Sequence, residues 1–360
     1  MADAATGHRS AGAARRQRRP AEKLRSLLLR AETASIAGAL LVFVGFSLAS
    51  PLFLTKESFI SITNLVAELG ILAIGVTILM ISGHIDLSVG AVLGISSYIV
   101  VYLGQSLGLP TGVAFIGALL FAMSLGLING LLVIKTGLHS FIVTLGTMLI
   151  YRGLLTAWSG GFPVSTKISE PLRSIVVGPL LDGFRMSLVW FLLAVIGATW
   201  LLLRTRTGNW IYAIGQNPEA ARNLGVPVAR TSILLFMLAS LAGGAAGIIQ
   251  VARFQSVDAL RGEGTELLAI AITVIGGTLL TGGYGSAIGA MFGAFIFGMV
   301  QVGLVLVGAP GFYFKTLVGF TLVAAVLINT SFTKFLTVGS LGRRSYTPDK
   351  DEADKSEAQP

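Results

Sequence analysis

The sequence predicts an all-α, polytopic integral membrane protein of about ten transmembrane helices, some of them broken around a central pathway. Three observations predict it. Apolar residues make up 54% of the chain and charged residues only 12%, about half the roughly 25% usual in soluble domains. Mean hydropathy is +0.81, too apolar for a water-soluble globule, so the length prior for soluble domains does not apply. Finally, apolar runs long enough to cross a bilayer, roughly 17 to 25 residues, recur at 35–54, 65–82, 90–104, 110–134, 138–157, 186–203, 231–251, 265–281, 286–307 and 315–330.

The elements follow in order. Residues 1–34 are rich in Arg and Ala with no apolar period, which predicts a disordered basic tail drawn to anionic lipid. An Arg-rich leader also suits a signal peptide, but this one exceeds thirty residues and precedes an apolar run of nearly twenty. Those lengths favour an uncleaved anchor. Residues 35–330 form the transmembrane domain, with a polar loop at 204–230, and 331–360 a C-terminal tail with alternating Asp, Glu and Lys. With the N-terminus in the cytoplasm, the inner segments hold 18 of the 26 Lys and Arg: eight before residue 35, Lys135, four in 204–230 and five after 330. The outer segments hold six. The positive-inside bias therefore predicts N-in and C-in, with both tails and the 204–230 loop cytoplasmic. The net charge of +9 follows this membrane pattern and does not point to nucleic acid.

Several functions are excluded. There is no cysteine, hence no disulfide framework, Cys-based zinc site or thiol nucleophile. The three His have no metal-ligand spacing, and no His or paired carboxylates stand at catalytic spacing. No catalytic or metal residues are expected. No Gly-Lys pair occurs, so a phosphate-binding loop is absent. No segment outside the membrane exceeds about 35 residues, well short of a nucleotide-binding or receptor domain.

Glycine, 45 residues, marks the breaks. Gly90 with Gly94 and Gly289 with Gly293 are small-residue pairs at the spacing that lets helices approach closely in lipid. Each follows a glycine-broken turn, Gly83–Gly90 or Gly276–Gly285, so that 76–100 and 272–298 read as weakly similar halves of a parallel repeat. Interrupted helices in such repeats frame a pathway in many transporters.

Polar residues inside the spans are few. Asp86 and Ser88 lie in Gly83-His84-Ile85-Asp86-Leu87-Ser88-Val89-Gly90. They either line a substrate pathway or cap the helix that starts near Val89. Asn64 and Glu68 sit one turn apart in the second span; facing the bundle interior they can bind a polyol, facing a neighbour they tie helices together. Asn129 and Thr144 are weaker members of the same set. His84 is expected to meet interfacial water, Arg152 to snorkel to headgroups, and Glu266 to suit a helix N-terminus.

The 204–230 loop contains a complete short helix. Asn217 caps it, Pro218 takes the first helical position, Glu219 favours the positive dipole end, and Gly225 takes the left-handed turn that closes it. It has too little core to be a domain. It is built either as a solvated loop helix or as a piece that another protein grips.

Four motifs, in order, carry a resemblance. Gly83-x-Ile85-Asp86-Leu87-Ser88-Val89-Gly90 resembles the signature of permease subunits in ribose, xylose and related monosaccharide ABC importers. Thr144-Leu145-Gly146 with Arg152-Gly153-Leu154 resembles that family's fifth helix. Tyr212-Ala213-Ile214-Gly215-x-Asn217-Pro218-Glu219-Ala220-Ala221-Arg222 with Gly225 resembles its large cytoplasmic loop. Gly264-x-Glu266-Leu267-x-Ala269-Ile270-Ala271, then Ile275-Gly276-Gly277-Thr278 and Gly282-Gly283-x-Gly285, resembles its late helices. The likeness runs from about residue 40 to 330 and departs at three places: His84 stands for a usual glycine, Leu268 for an aspartate, and Glu68 occupies a usually uncharged place.

The resemblance implies an inner-membrane permease subunit of an ATP-driven importer that moves a monosaccharide or related polyol. It implies a homodimer or paired permease, a cytoplasmic ABC ATPase that holds the ATP and magnesium, a periplasmic sugar-binding protein, and no cofactor on this chain. The loop helix becomes an ATPase-coupling element of Asn217, Pro218, Glu219, Ala220, Ala221, Arg222 and Gly225, its alanine pair offering a flat surface and Arg222 an ion pair. The alternative is an ion-coupled secondary transporter of a small polar solute, with Glu68 or Asp86 as the coupling carboxylate.

Overall fold

The computed structural model describes residues 31–181 and 183–310, with five positions between 313 and 323. Both predicted tails and the tenth predicted span, 315–330, lie outside or almost wholly outside the described residues. Eight helices among the described residues are long and apolar enough to cross a membrane. In chain order the elements are α1 (Ala31–Ala49), α2 (Lys56–Ile81), α3 (Val89–Val101), α4 (Thr111–Thr136), α5 (Ser140–Ser159), α6 (Glu170–Val177), α7 (Met186–Arg204), α8 (Arg206–Gln216), α9 (Pro218–Asn223), α10 (Val228–Phe254), α11 (Thr265–Ile275) and α12 (Ala287–Leu306). A two-residue antiparallel ladder, β1 (Val164–Ser165) on β2 (Ser256–Val257), joins two loops at one end of the bundle.

Local chemistry sets the helix ends. Pro51 opens a short 3-10 turn directly after α1, because its missing N–H and fixed φ end one helix and start another. Thr55 caps α2 by accepting the Ser58 N–H, so that α2 begins at Lys56 although its apolar stretch starts later. The eighth predicted span shrinks most. α11 stops at Ile275 because Gly276 and Gly277 follow, the latter at φ +88°. Its 11 residues rise about 16 Å, half of a bilayer core of roughly 30 Å. α3, with 13 residues, is extended by a single π-turn at Tyr102–Ser106.

α2 is the axis of the bundle. It is buried without interruption from Val66 to Ile81 and packs on α7, α10, α11 and α12. A helix apolar on every side belongs inside a membrane bundle. By contrast α4, α5 and α7 turn Ile116, Leu120, Leu149 and Ile196 outward, as lipid-exposed faces do. α4 lies tightest on α10. A Cβ at Gly130 would fall 2.9 Å from the Ile233 Cα, and one at Gly126 2.8 Å from the Met237 Cα, close approaches that need small residues.

The stretches 76–100 and 272–298 each fold as helix, turn and helix, α2–turn–α3 and α11–turn–α12. They meet where Thr77 Oγ1 lies 3.0 Å from Thr273 Oγ1. The two predicted glycine pairs are both close contacts: Gly90 and Gly94 against the 261–266 segment, Gly289 and Gly293 against the end of α11.

Candidate functional site

Three places carry the predicted site residues. The first is the turn at 82–88. A break in a membrane helix leaves N–H and C=O groups that lipid cannot satisfy, so partners must come from protein. Asp86 Oδ1 accepts from the Ser88 N–H at 2.8 Å and from the Ser88 hydroxyl at 2.7 Å. Asn129 on α4 donates to Ser88 Oγ at 2.7 Å and to Asp86 Oδ2 at 3.4 Å. Tyr151 on α5 donates to Asn129 Oδ1 at 3.2 Å. Thr144 Oγ1 accepts from the Leu87 N–H at 3.1 Å and donates to Ser140 O at 2.8 Å, while Ser140 Oγ accepts from the Ile85 N–H at 3.0 Å. Asp86, Ser88, Asn129 and Thr144 are all fully buried. The structure thus joins four of the six predicted pathway residues into one network. The cap differs in detail from expectation: Asp86, not Ser88, accepts the backbone N–H at the start of α3. His84 is half-buried, with its Nε2 3.1 Å from Ser232 Oγ and its ring against Phe236.

The other two predicted residues lie elsewhere, on the N-terminal half of α2. Glu68 pairs with Arg253 of α10 at 2.5 Å and so ties two helices together. Asn64, only 8% exposed, lines a cavity of about 670 Å³ with Ser58, Ser61, Arg253 and Gln301, and its Oδ1 has no hydrogen-bond partner. The cavity lies some 17 residues of helix from Ile81, about 25 Å at the α-helical rise. Nearby, burial and then the charge of Arg253 lower the pKa of the Arg185 guanidinium from its usual value. Neither membrane carboxylate proposed for ion coupling stands unpartnered: Glu68 is ion-paired and Asp86 accepts three hydrogen bonds.

Arg152 departs from its expected snorkelling. The loop after β2 dips back into the bundle, where Arg152 donates to Arg261 O at 2.6 Å and stands 4.0 Å from Glu266. Glu266 Oε1 accepts from the Gly264 N–H at 3.1 Å, at the start of α11.

The third place is α9, at the opposite end of α2 from the cavity. Asn217 Oδ1 accepts from the Glu219 and Ala220 N–H groups at 3.0 and 2.9 Å, with Pro218 at the first helical position. At the other end Val226 N–H donates to Ala221 O and Gly225 N–H to Arg222 O, with Gly225 at φ +82°. These two bonds form the Schellman closure of a helix. The alanine pair is not a flat face. Ala221 is buried with Ile214 and Val228, while Ala220 is exposed beside Glu219 and Arg222. The exposed apolar residue is Leu224, 83% exposed and one turn beyond Ala220. Sequence reading passed over it because a lone leucine in a loop carries no period.

Eight helices long and apolar enough to cross a membrane, a buried polar break and a capped helix at one end of the bundle are the architecture of a multi-pass membrane protein. The comparisons with known proteins make this specific. The chain belongs to the family described as "Branched-chain amino acid transport system / permease component", whose pattern matches residues 58–326. It is 34% identical to the ribose import permease protein of Escherichia coli K12, over 81% of this chain and 91% of that protein. It is 35% identical to the ribose import permease protein of Bacillus subtilis, over 81% and 90%. It is 33% identical to the autoinducer 2 import system permease protein of Enterobacter sp. 638, over 87% and 91%. No solved structure matches the chain. The chain is therefore a multi-pass inner-membrane permease subunit of an ABC import system, working with an ATPase and a binding protein.

Proposed function

We propose that the chain moves a monosaccharide or closely related polyol inward, as one half of a permease dimer, receiving it from a periplasmic sugar-binding protein. The observation that carries this reading is the likeness to ribose import permeases over four-fifths of the chain. The family description alone would have pointed to amino acids. In this reading the cavity at Asn64 takes the sugar first, and its mix of amide, guanidinium and hydroxyl groups suits hydroxyl-rich ligands. The network of Asp86, Ser88, Asn129 and Thr144 shapes the pathway by holding the break in place. ATP and magnesium stay on the partner ATPase, and this chain binds no cofactor and catalyses no reaction.

α9 docks in a groove of that ATPase through Glu219, Ala220, Arg222 and Leu224. ATPase closure moves it and tilts the bundle between its outward- and inward-open states. Glu219→Lys tests this. A lysine at the positive end of so short a helix costs only about 0.3–1 kcal/mol, so the protein inserts normally. Uptake of radiolabelled ribose, xylose and glucose by cells carrying the variant is expected to vanish for whichever sugar the parent imports. Unchanged uptake removes the docking assignment; no uptake of any sugar by the parent removes the sugar reading.

A further inference from the structure

The arm that carries α9 reaches the membrane at a junction made almost entirely of backbone. Gly215, two residues before the Asn217 cap, sits where a Cβ would overlap both Ile81 O and the amide nitrogen of Gly283. Gly282 is equally tight: a Cβ there would fall 2.6 Å from Gly83 Cα and 3.2 Å from Gly215 Cα. The Gly283 N–H donates to Ile81 O at 2.7 Å, and Tyr212, also on α8, donates its hydroxyl to Gly285 O at 2.9 Å. Three segments thus meet at one point: the end of α8, the 82–88 turn and the 276–286 turn. At Gly215 the contact is backbone on backbone, against Ile81 O and the Gly283 nitrogen, with the Gln216 side chain beside Gly283. Close-packed groups transmit displacement, whereas flexible side chains absorb it.

Both sides of the junction are stiff. Towards the cytoplasm, Ile214, Ala221 and Val228 pack together, so that the last turn of α8 and all of α9 move as one body. Towards the membrane, the 82–88 turn is bonded to α4 by Asn129, to α5 by Ser140 and Thr144, and through His84 to α10 by Ser232. The 276–286 turn leads directly into α12.

We infer that Gly215 and Tyr212 are positioning residues for transport, through which a displacement of α9 reaches both helix breaks at once. This rests on the importer reading and goes beyond it, since docking on an ATPase does not by itself say where the motion goes. Gly215→Ala adds a single methyl group that wedges the three backbones apart. Tyr212→Phe keeps the ring and removes one hydrogen bond.

The test uses the full complex. The chain has no cysteine, so Thr281→Cys, at an exposed place in the 276–286 turn, takes a single spin label. The labelled permease is purified with its co-purifying ATPase in lipid nanodiscs and compared with and without ATP and vanadate. Gly215→Ala is expected to retain the ATPase and its hydrolysis while the nucleotide-driven change in label mobility and uptake in cells both fall about tenfold, within the range of a lost coupling. Tyr212→Phe is expected to lower both about two- to fivefold, the effect of one hydrogen bond. A merely structural role would lower protein yield without separating hydrolysis from the label's response. Parent-like uptake and label response in Gly215→Ala overturn the inference. Should that variant fail to insert, the same outcome in Tyr212→Phe overturns it. Absence of any ABC ATPase from the parent complex overturns the importer reading instead.

Discussion

Side chains supply most of the bonds that hold the turn at 82–88, whereas the turn at 276–286 is shaped mainly by backbone, with the Tyr212 hydroxyl on Gly285 O. In the first, a carboxylate, an amide and several hydroxyls from α4 and α5 satisfy the broken helix, all of them buried. In the second, Gly277, Gly282, Gly283 and Gly285 take positive φ, the Leu279 N–H closes on Tyr284 O at 3.1 Å, and Gly283 reaches across to Ile81. The surroundings explain the difference. From Asp86 onward the first break is buried against α4 and α5 and must bring polar partners with it. A break beside the α8 arm needs room for another backbone, and glycine supplies it. One chemistry fixes a turn in place, and the other lets a neighbour press directly upon it. Substitutions in the first turn are therefore expected to act on stability, and in the second on transport.

The largest expected effect is that of Asp86→Ala. It leaves the Ser88 N–H and the Ser88 hydroxyl without their acceptor, each costing about 1–3 kcal/mol when buried, while the Asn129 amide keeps Ser88 Oγ. Little folded protein is expected on size-exclusion chromatography of detergent extracts. A parent-like yield with uptake abolished would erase the contrast and return Asp86 to the sugar's path.

Gly282→Ala comes next. Its φ of +82° and the nearby Gly83 Cα impose strain of about 1–3 kcal/mol. Inserted protein is expected with uptake reduced about tenfold, a coupling-sized loss. Equal losses of yield and uptake would place this turn with the first.

Thr144→Val is the mildest. The Leu87 N–H loses its acceptor at a cost of about 1 kcal/mol. A small drop in the melting temperature with uptake retained sharpens the contrast, whereas a transport defect at unchanged stability blurs it.

What could be read from the chain was local. The capped helix α9 was legible residue by residue, because Asn217, Pro218 and Gly225 each act within four positions of themselves. Most spans were legible because a bilayer demands length and apolarity together. The span at 265–281 was not, since composition counts glycines as tolerable while Gly276 and Gly277 end the helix. The partnerships were invisible. Arg253 read as an outer-loop charge, yet its partner Glu68 lies 185 residues away. Ser140, Tyr151 and Ser232 look like ordinary residues of apolar spans, and only the fold brings them to the first turn. Of the six residues read as pathway, four form the network and two lie at or near the cavity lined by Asn64 and Arg253. That division depends on which way each helix face turns, and a nearly uniform apolar helix such as α2 leaves it unmarked.

The pairing of Glu68 with Arg253 also sets a timetable for the protein's birth. α2 is the second membrane helix to leave the ribosome among those described, yet the counter-charge of its Glu68 belongs to α10. At about 5–20 residues per second, the intervening 185 residues take roughly 10–40 seconds to make. For that interval Glu68 waits within the bilayer without its partner, at a charge penalty of order 2.5–3.5 kcal/mol for a carboxylate at mid-membrane. A nascent chain stalled before α10 therefore carries an unneutralised acid in its central helix.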